Sequence, residues 1–229
     1  MLLEICLTSV EDAIAAQEAG ADRLELSCAL MFDGLTPSPG LLRSVKKAVA
    51  LPIVTMIRPR AGGFRYSAAD FDVMRIDTEW ALAYGSDSIA FGILDENQGI
   101  DVPRCRTLLE TVGARTAVFH RAFDLTRDPF TALECLIDLG FTRVMTSGAC
   151  RTALEGSSRI RELIERSRGR IEILPAGGIN HSNVREILMT TGATQVHGSF
   201  RRNNTRSGDG EGLDAMEVLK TRAALDSIS

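Results

Sequence analysis

Aromatic residues, histidines and long apolar runs are all scarce in this sequence. Aromatic residues make up 5% of the 229 positions, and there are three histidines and one tryptophan. No apolar run approaches the roughly 20 residues of a membrane-spanning helix, so we expect no membrane partner. The N-terminus lacks the charged start and long apolar stretch of a signal peptide, because Glu4 interrupts Leu2–Leu7. These absences predict a cytoplasmic protein.

A strong excess of charge of one sign is also missing. Lys and Arg number 26 against 30 Asp and Glu, which gives a net charge of −4. Because there is no basic stripe, the sequence predicts no nucleic-acid partner. The densest basic stretch, formed by Arg201, Arg202 and Arg206, lies among Gly, Asn and Ser residues. We interpret it as a solvated loop or as an anion-binding segment, and the sequence leaves both open.

The cysteines do not form a recognisable disulfide or zinc pattern. Their number, five, is odd, and no two of them make a C-x-x-C motif, which favours a reducing compartment. Cys105 and Cys135 fall within predicted helices, so we expect them to be packing residues.

A short apolar strand is followed by a stretch with helical periodicity eight times along the chain. The predicted strands are Leu2–Leu7, Arg23–Ser27, Ile53–Arg58, Ser88–Gly92, Thr116–Arg121, Arg143–Ser147, Ile171–Leu174 and Gln195–Ser199. Eight such units predict an α/β fold, a compact single (β/α)8 or TIM barrel that spans residues 1–229 as one domain. Ligands of this fold bind at the carboxyl ends of the strands. The architecture is compatible with a homo-oligomer.

Polar residues of the inward parity collect at those strand ends. Side chains alternate between the two faces of a strand, and a carboxylate under a helix is costly, so Glu4 should point inward. The last strand closes on the first, which makes Glu25 and His197 the neighbours of Glu4. We expect Arg58 to hold Glu25 ionised. Glu4 is then the candidate proton carrier, with His197 or His120 as its complement. The predicted catalytic set is Glu4, Glu25, Arg58, His120 and His197.

Ion pairs that merely satisfy one another inside the barrel are the competing interpretation. Arg23 with Glu25, or Glu25 with Arg58, would be such a pair. We favour a ligand site, because a whole cluster of charges at one end of a barrel is costly to desolvate.

An anion site is predicted next to this cluster. Gly177 and Gly178 lie between the seventh strand and a helix, where backbone N–H groups commonly bind phosphate. Ser147 could offer similar donors, and Arg60 and Asp124 lie just beyond other strand ends. The alternative for the glycines is a tight turn, and the sequence does not decide between the two.

Two cysteines are candidates for a metal site. Cys6 has the inward parity, and Cys28 lies at the root of the loop after the second strand, from which it could swing toward Cys6. Two sulfurs on neighbouring strand ends would suit copper(I), which favours thiolate ligands. A buried structural role for each cysteine is the alternative.

Several strings of residues, spread from the first strand toward the eighth, together resemble the CutC family. The strings are Glu4–Cys6, Gly20–Leu26, Gly34–Ser38, Ile57–Arg60, Phe119–Asp124, Thr146–Gly148 and Gly177–Gly178. The resemblance implies a (β/α)8 barrel and a role in copper homeostasis, with copper(I) bound through cysteines. The chain departs from the family pattern at Ser27, where members often have Cys, and at 61–63, where Ala-Gly-Gly replaces Gly-Gly-Asp.

Different classes of function therefore follow from the sequence. The first is a cytosolic copper-homeostasis protein that binds copper(I) at the barrel mouth through Cys6 and Cys28. The second is an enzyme that acts on a small anionic metabolite, such as a phosphorylated one, through the Glu, Arg and His cluster. A sensor of such a metabolite would keep the site without the turnover.

Overall fold

A computed structural model describes residues 1–202 and 212–228 of the chain, and Arg206 lies outside them. Eight parallel strands follow chain order around a barrel, and a parallel bridge between Ala176 and His197 joins the last two. The strands are β1 (Leu2–Leu7), β2 (Arg23–Leu26), β3 (Ile53–Met56), β4 (Ser88–Phe91), β5 (Thr116–Phe119), β6 (Arg143–Thr146), β7 (Glu172–Pro175) and β8 (Gln195–Gly198). The predicted (β/α)8 barrel is confirmed.

One helix follows each strand. The helices are α1 (Val10–Glu18), α2 (Pro39–Ala48), α3 (Ala68–Ala83), α4 (Val102–Val112), α5 (Pro129–Leu139), α6 (Ser157–Ser167), α7 (Val184–Thr191) and α8 (Ala215–Asp226), with 3₁₀ turns at Leu30–Phe32 and Arg121–Leu125. Local sequence sets several of the starts. Asp128, for example, accepts from the N–H groups of Phe130 and Thr131, with Pro129 in the first turn. Among the helices that the structure describes, none is long and apolar enough to cross a bilayer.

Alternation along the strands separates two apolar layers. One parity packs against the helices and forms the large outer core. The other fills the middle of the barrel with a smaller cluster, formed by Val54, Met56, Ala90, Val118, Met145, Leu174 and Ala176. Polar residues of the inward parity are therefore left at the two ends of the barrel.

A polar network occupies the amino-terminal end. Arg23 pairs with Glu4 and also donates to the Gln195 side chain at 2.8 Å, and Gln195 donates to Glu172 at 3.2 Å. Arg143 joins the network through Glu172 at 2.6 Å. Internal ion pairs thus exist in this barrel, but the partner of Arg23 is Glu4 rather than the Glu25 considered from the sequence.

Most strands end earlier than the sequence indicates. β3 ends at Met56 and β5 at Phe119, so Arg58 and His120 lie just beyond the strands. β7 is shifted by one residue, to Glu172–Pro175. Arg58 and His120 consequently lie in the first residues of the loops, above the apolar middle layer.

Candidate functional site

A cavity of about 510 Å³ opens at the carboxyl ends of the strands. Eight of the residues predicted for the site line it: Cys6, Glu25, Arg58, His120, Asp124, Gly177, Gly178 and His197. Four others do not: Glu4, Cys28, Arg60 and Ser147. Arg121 and Phe64 line the cavity and were not selected from the sequence, although Arg121 lies inside the string Phe119–Asp124.

Three buried side chains with metal-binding atoms meet on the floor of the cavity. Ligand atoms of Cys6, Glu25 and His197 all lie within 4.8 Å of one another. Strand register explains the meeting, since Cys6 is level with Glu25 across β1 and β2, while His197 is level with Glu4 across β8 and β1. Three sequence-distant strands therefore supply one donor each.

Glu4 orients the imidazole of His197 from below. Its Oε1 lies 2.7 Å from His197 Nδ1, and its Oε2 accepts from Arg23. His197 Nε2 is left facing Glu25, at 3.8 Å from Oε2. A carboxylate on one imidazole nitrogen, with the other nitrogen exposed to a donor set, is the usual arrangement around a metal-binding histidine.

The pKa values of Glu4 and Glu25 are shifted in opposite directions. Burial would raise the pKa of Glu4, but the hydrogen bond with His197 and the charge of Arg23 lower it to about 2. Burial raises the pKa of Glu25 against the opposing charge of His197, and the nearby charge of Glu4 adds to the rise. Glu25, whose Oε1 has no partner among the described residues, is thus the group suited to exchange a proton. This reverses the roles expected from the sequence.

Burial also sets the protonation of Cys6. It raises the pKa of the Cys6 thiol well above its ordinary value, and the charge of Glu25 raises it further. The thiol lies 3.5 Å from the Ser27 hydroxyl. Cys6 is therefore a protonated thiol unless a cation binds beside it.

Arg58 does not hold Glu25 ionised, contrary to the sequence prediction. Val54 is the residue of β3 level with Glu25, and Arg58 follows it four positions later. At about 3.3 Å per residue, that places Arg58 roughly 13 Å further along the strand direction. The alternation of side chains along the strand correctly predicted that Arg58 points inward, but alternation does not give the position of a residue along the barrel.

The guanidinium of Arg58 instead binds the two loops that roof the cavity. Nη1 donates to the carbonyls of Phe32 at 2.6 Å and Gly34 at 3.0 Å, and Nη2 donates to that of Gly62 at 2.8 Å. The group lies 4.9 Å from the centre of the Phe64 ring. The glycine-containing loop after β3 thus approaches Arg58.

His120 presents a neutral imidazole to the same cavity. Its Nδ1 accepts from the Ala122 N–H at 3.2 Å. Burial and the charge of Arg58 lower its pKa to about 3. The ring packs on Gly92, where an added Cβ would stand 2.6 Å from it. The missing side chain of Gly92 therefore makes room for the imidazole.

Asp124 and Ser147 bind the chain rather than open solvent. The Asp124 carboxylate accepts from the hydroxyls of Thr146 and Ser147 and from the N–H groups of Ser147 and Ala149. Arg121 donates to Asp124 at 2.8 Å and to the Ser147 hydroxyl at 2.9 Å. These contacts fix the loop after β6 and leave Arg121 as the basic group on this wall of the cavity.

Cys28 and Arg60 lie away from the donor cluster. The Cys28 thiol donates to the Thr36 carbonyl at 3.1 Å. Arg60 pairs with Asp70 at 2.9 Å on a partly exposed surface. The structure therefore does not bring Cys28 to Cys6, nor Arg60 to the cavity.

Gly177 and Gly178 turn the chain sharply after β7. Their φ angles are 104° and 69°, a region that favours glycine. The N–H groups of Gly178 and Ile179 donate to no backbone carbonyl of the described residues. Both interpretations from the sequence, the tight turn and the anion-binding amides, fit this geometry.

Comparison with known proteins gives a consistent assignment. The sequence model of the CutC family matches residues 1–202. A CutC family protein of Treponema denticola is 47% identical over 195 residues, which cover 85% of this chain and 79% of the relative. The copper homeostasis protein cutC homolog of Homo sapiens is 46% identical over 200 residues, or 87% of this chain and 73% of the relative.

Solved structures agree with the sequence comparison. A CutC protein from Streptococcus agalactiae superimposes with a TM-score of 0.84 at 32% identity, over 87% of this chain and 98% of its own. Phosphoribosylanthranilate isomerase from Thermotoga maritima gives a TM-score of 0.64 at 16% identity, over 99% of this chain and 100% of its own. The second likeness shows the barrel fold alone.

Proposed function

The chain belongs to the CutC family, and from this premise we propose that it binds copper(I) at the barrel mouth as a cytoplasmic copper-homeostasis protein. The observation that carries the proposal is the meeting of Cys6, Glu25 and His197 ligand atoms within 4.8 Å. Copper(I) is the cargo of this site.

The ligands proposed for copper(I) are Cys6 Sγ and His197 Nε2. Copper(I) prefers thiolate ligands, and imidazole also suits copper. Glu4 occupies Nδ1 of the imidazole, so Nε2 is the nitrogen available to the ion. Cys28, whose thiol faces the Thr36 carbonyl, is replaced by His197 as the second ligand.

Glu25 is proposed to take the proton that Cys6 must lose. A thiol binds copper as the thiolate, so binding displaces one proton. A Glu25 oxygen lies within 4.8 Å of the sulfur, and burial raises the pKa of this carboxyl. Because the proton moves from Cys6 to Glu25 within the site, the only charge added is that of the copper(I) ion. The ionised Glu4 carries the opposite charge.

A competition titration with a chromogenic copper(I) chelator, performed without oxygen, tests the site. Cys6→Ser should abolish stoichiometric binding, whereas Cys28→Ser should bind as the wild type does. Cys135→Ser, on helix α5 and outside the cavity, is the control. Tight binding that survives Cys6→Ser would exclude the site, and loss of binding in Cys28→Ser would restore the two-cysteine alternative.

A further inference from the structure

A second group of unpartnered polar atoms lies above the copper(I) ligands in the same cavity. Arg58 Nε and His120 Nε2 are buried and make no hydrogen bond within residues 1–202 and 212–228. Each side chain belongs to a residue that is 3% exposed and lines the cavity. Buried polar groups nearly always have a partner, so each of these atoms is available to a bound molecule.

Arg58 carries a buried charge without a counter-charge. Its polar partners are three neutral carbonyls, and no carboxylate of the described part of the chain pairs with it. The Tyr66 hydroxyl lies beside the Arg58 guanidinium but supplies no counter-charge, because burial raises the pKa of its phenol to about 12. An uncompensated buried cation is costly, and an anionic ligand would remove that cost.

His120 adds a neutral donor of fixed direction. Since Nδ1 accepts the Ala122 N–H, Nδ1 carries no proton, and the hydrogen of the neutral ring is on Nε2. Gly92 gives the ring its place, because an added Cβ would stand 2.6 Å from it. Nε2–H and the Arg58 Nε–H are therefore two donors, one of them charged, on the wall of one cavity.

We propose that the upper part of this cavity binds a small organic anion, one oxyanion group of which accepts hydrogen bonds from Arg58 Nε and His120 Nε2. A cavity of about 510 Å³ suits a small metabolite. The site uses neither Cys6 nor His197, so it does not depend on copper binding.

Proton and nitrogen NMR of the imidazole rings tests the contact directly, because the chain has only three histidines. The wild-type protein is titrated with sodium acetate and with sodium phosphate, and with sodium chloride at equal ionic strength. At least one oxyanion should move the His120 Nε2 resonance saturably, and the exposed His181 should not respond. Acetate alone would identify a carboxylate ligand, and phosphate alone a phosphate ligand. If neither moves His120, the proposal is wrong.

Two substitutions of one residue supply the matched controls. His120→Asn keeps an acceptor near the Nδ1 position but loses the Nε2 donor, so the affinity for the active oxyanion should fall about tenfold. His120→Gln keeps a donor near Nε2 and should retain most of the affinity. Arg60→Gln, in the same loop as Arg58 but outside the cavity, should bind as the wild type does. Wild-type affinity in a folded His120→Asn protein would overturn the proposal.

Discussion

The two buried carboxylates of the site, Glu4 and Glu25, have different roles. Glu4 lies between two buried partners, with one oxygen on Arg23 and the other on His197. Both contacts stabilise its charged form, and its pKa stands at about 2 despite burial. Glu25 has a free oxygen and a raised pKa. Glu4 is consequently a positioning residue, while Glu25 can exchange a proton.

Glu4→Gln tests this division. The amide would no longer hold the His197 ring through a charge-assisted contact, so copper(I) affinity should fall about 10–100-fold, as is typical for partners of metal ligands. The free energy of unfolding should also fall, by roughly 3–5 kcal/mol, because Arg23 stays buried without its counter-charge. Chelator competition and urea unfolding measure the two effects.

Glu172→Gln is the matched control for that change. Glu172 belongs to the same polar network through Arg143 but has no contact with His197. It should lose some stability and keep the wild-type copper affinity. Unchanged affinity in a folded Glu4→Gln protein would contradict the positioning role.

At the scale of elements, Arg58 joins the loops after β2 and β3 through its side chain as well as its backbone, whose carbonyl accepts from the Thr36 N–H at 3.0 Å. It binds the turn that contains Phe32 and Gly34, after β2, to Gly62 in the loop after β3. The two loops cover the cavity mouth. Their conformation therefore depends in part on the Arg58 side chain, just beyond β3.

A double-mutant cycle separates this role from pairing with Glu25. Arg58→Ala should lower the free energy of unfolding by roughly 2–5 kcal/mol, because three hydrogen bonds from a charged donor are lost. Glu25→Gln in the same protein should not recover the loss, and the coupling should stay within about 0.5 kcal/mol, as for residues far apart. Arg60→Ala, which breaks an exposed ion pair, should cost less than about 1 kcal/mol. Recovery of most of the loss would show that Arg58 and Glu25 do interact.

At the scale of the whole molecule, unfolding should respond to acid through His120. Its pKa falls from the ordinary 6.5 to about 3 in the folded protein. Between these values the unfolded chain binds the proton and the folded chain does not, so stability rises with pH. The part of the free energy of unfolding that depends on neutral His120 is fully present above pH 6.5. It is lost progressively as the pH falls toward 3.

The measurement is urea unfolding of wild type and His120→Gln across this range. The wild type should lose stability more steeply on acidification, by up to about 1.4 kcal/mol per pH unit. Groups common to both proteins, such as Glu4, cancel in the difference. Parallel stability curves would mean that His120 already titrates normally in the fold.

The sequence by itself determined the barrel and the end at which to look. Apolar strands of alternating parity, each followed by a helical stretch, are a local signal, and eight of them close in one way. Parity also turned Cys6, Glu25, Arg58, His120 and His197 inward, and all of them line the cavity. These inferences need only the two-residue period of a strand and the chain order.

Tertiary structure alone decided which of those residues meet. Height along the barrel axis depends on the stagger between strands, which placed Glu4 with Arg23 and His197, and Arg58 far above Glu25. Loop conformation turned the Cys28 thiol to a carbonyl. The pKa values of these groups follow from the same contacts, because burial and charges within a few ångströms determine a pKa. Neither burial nor such neighbours can be obtained from residue spacing.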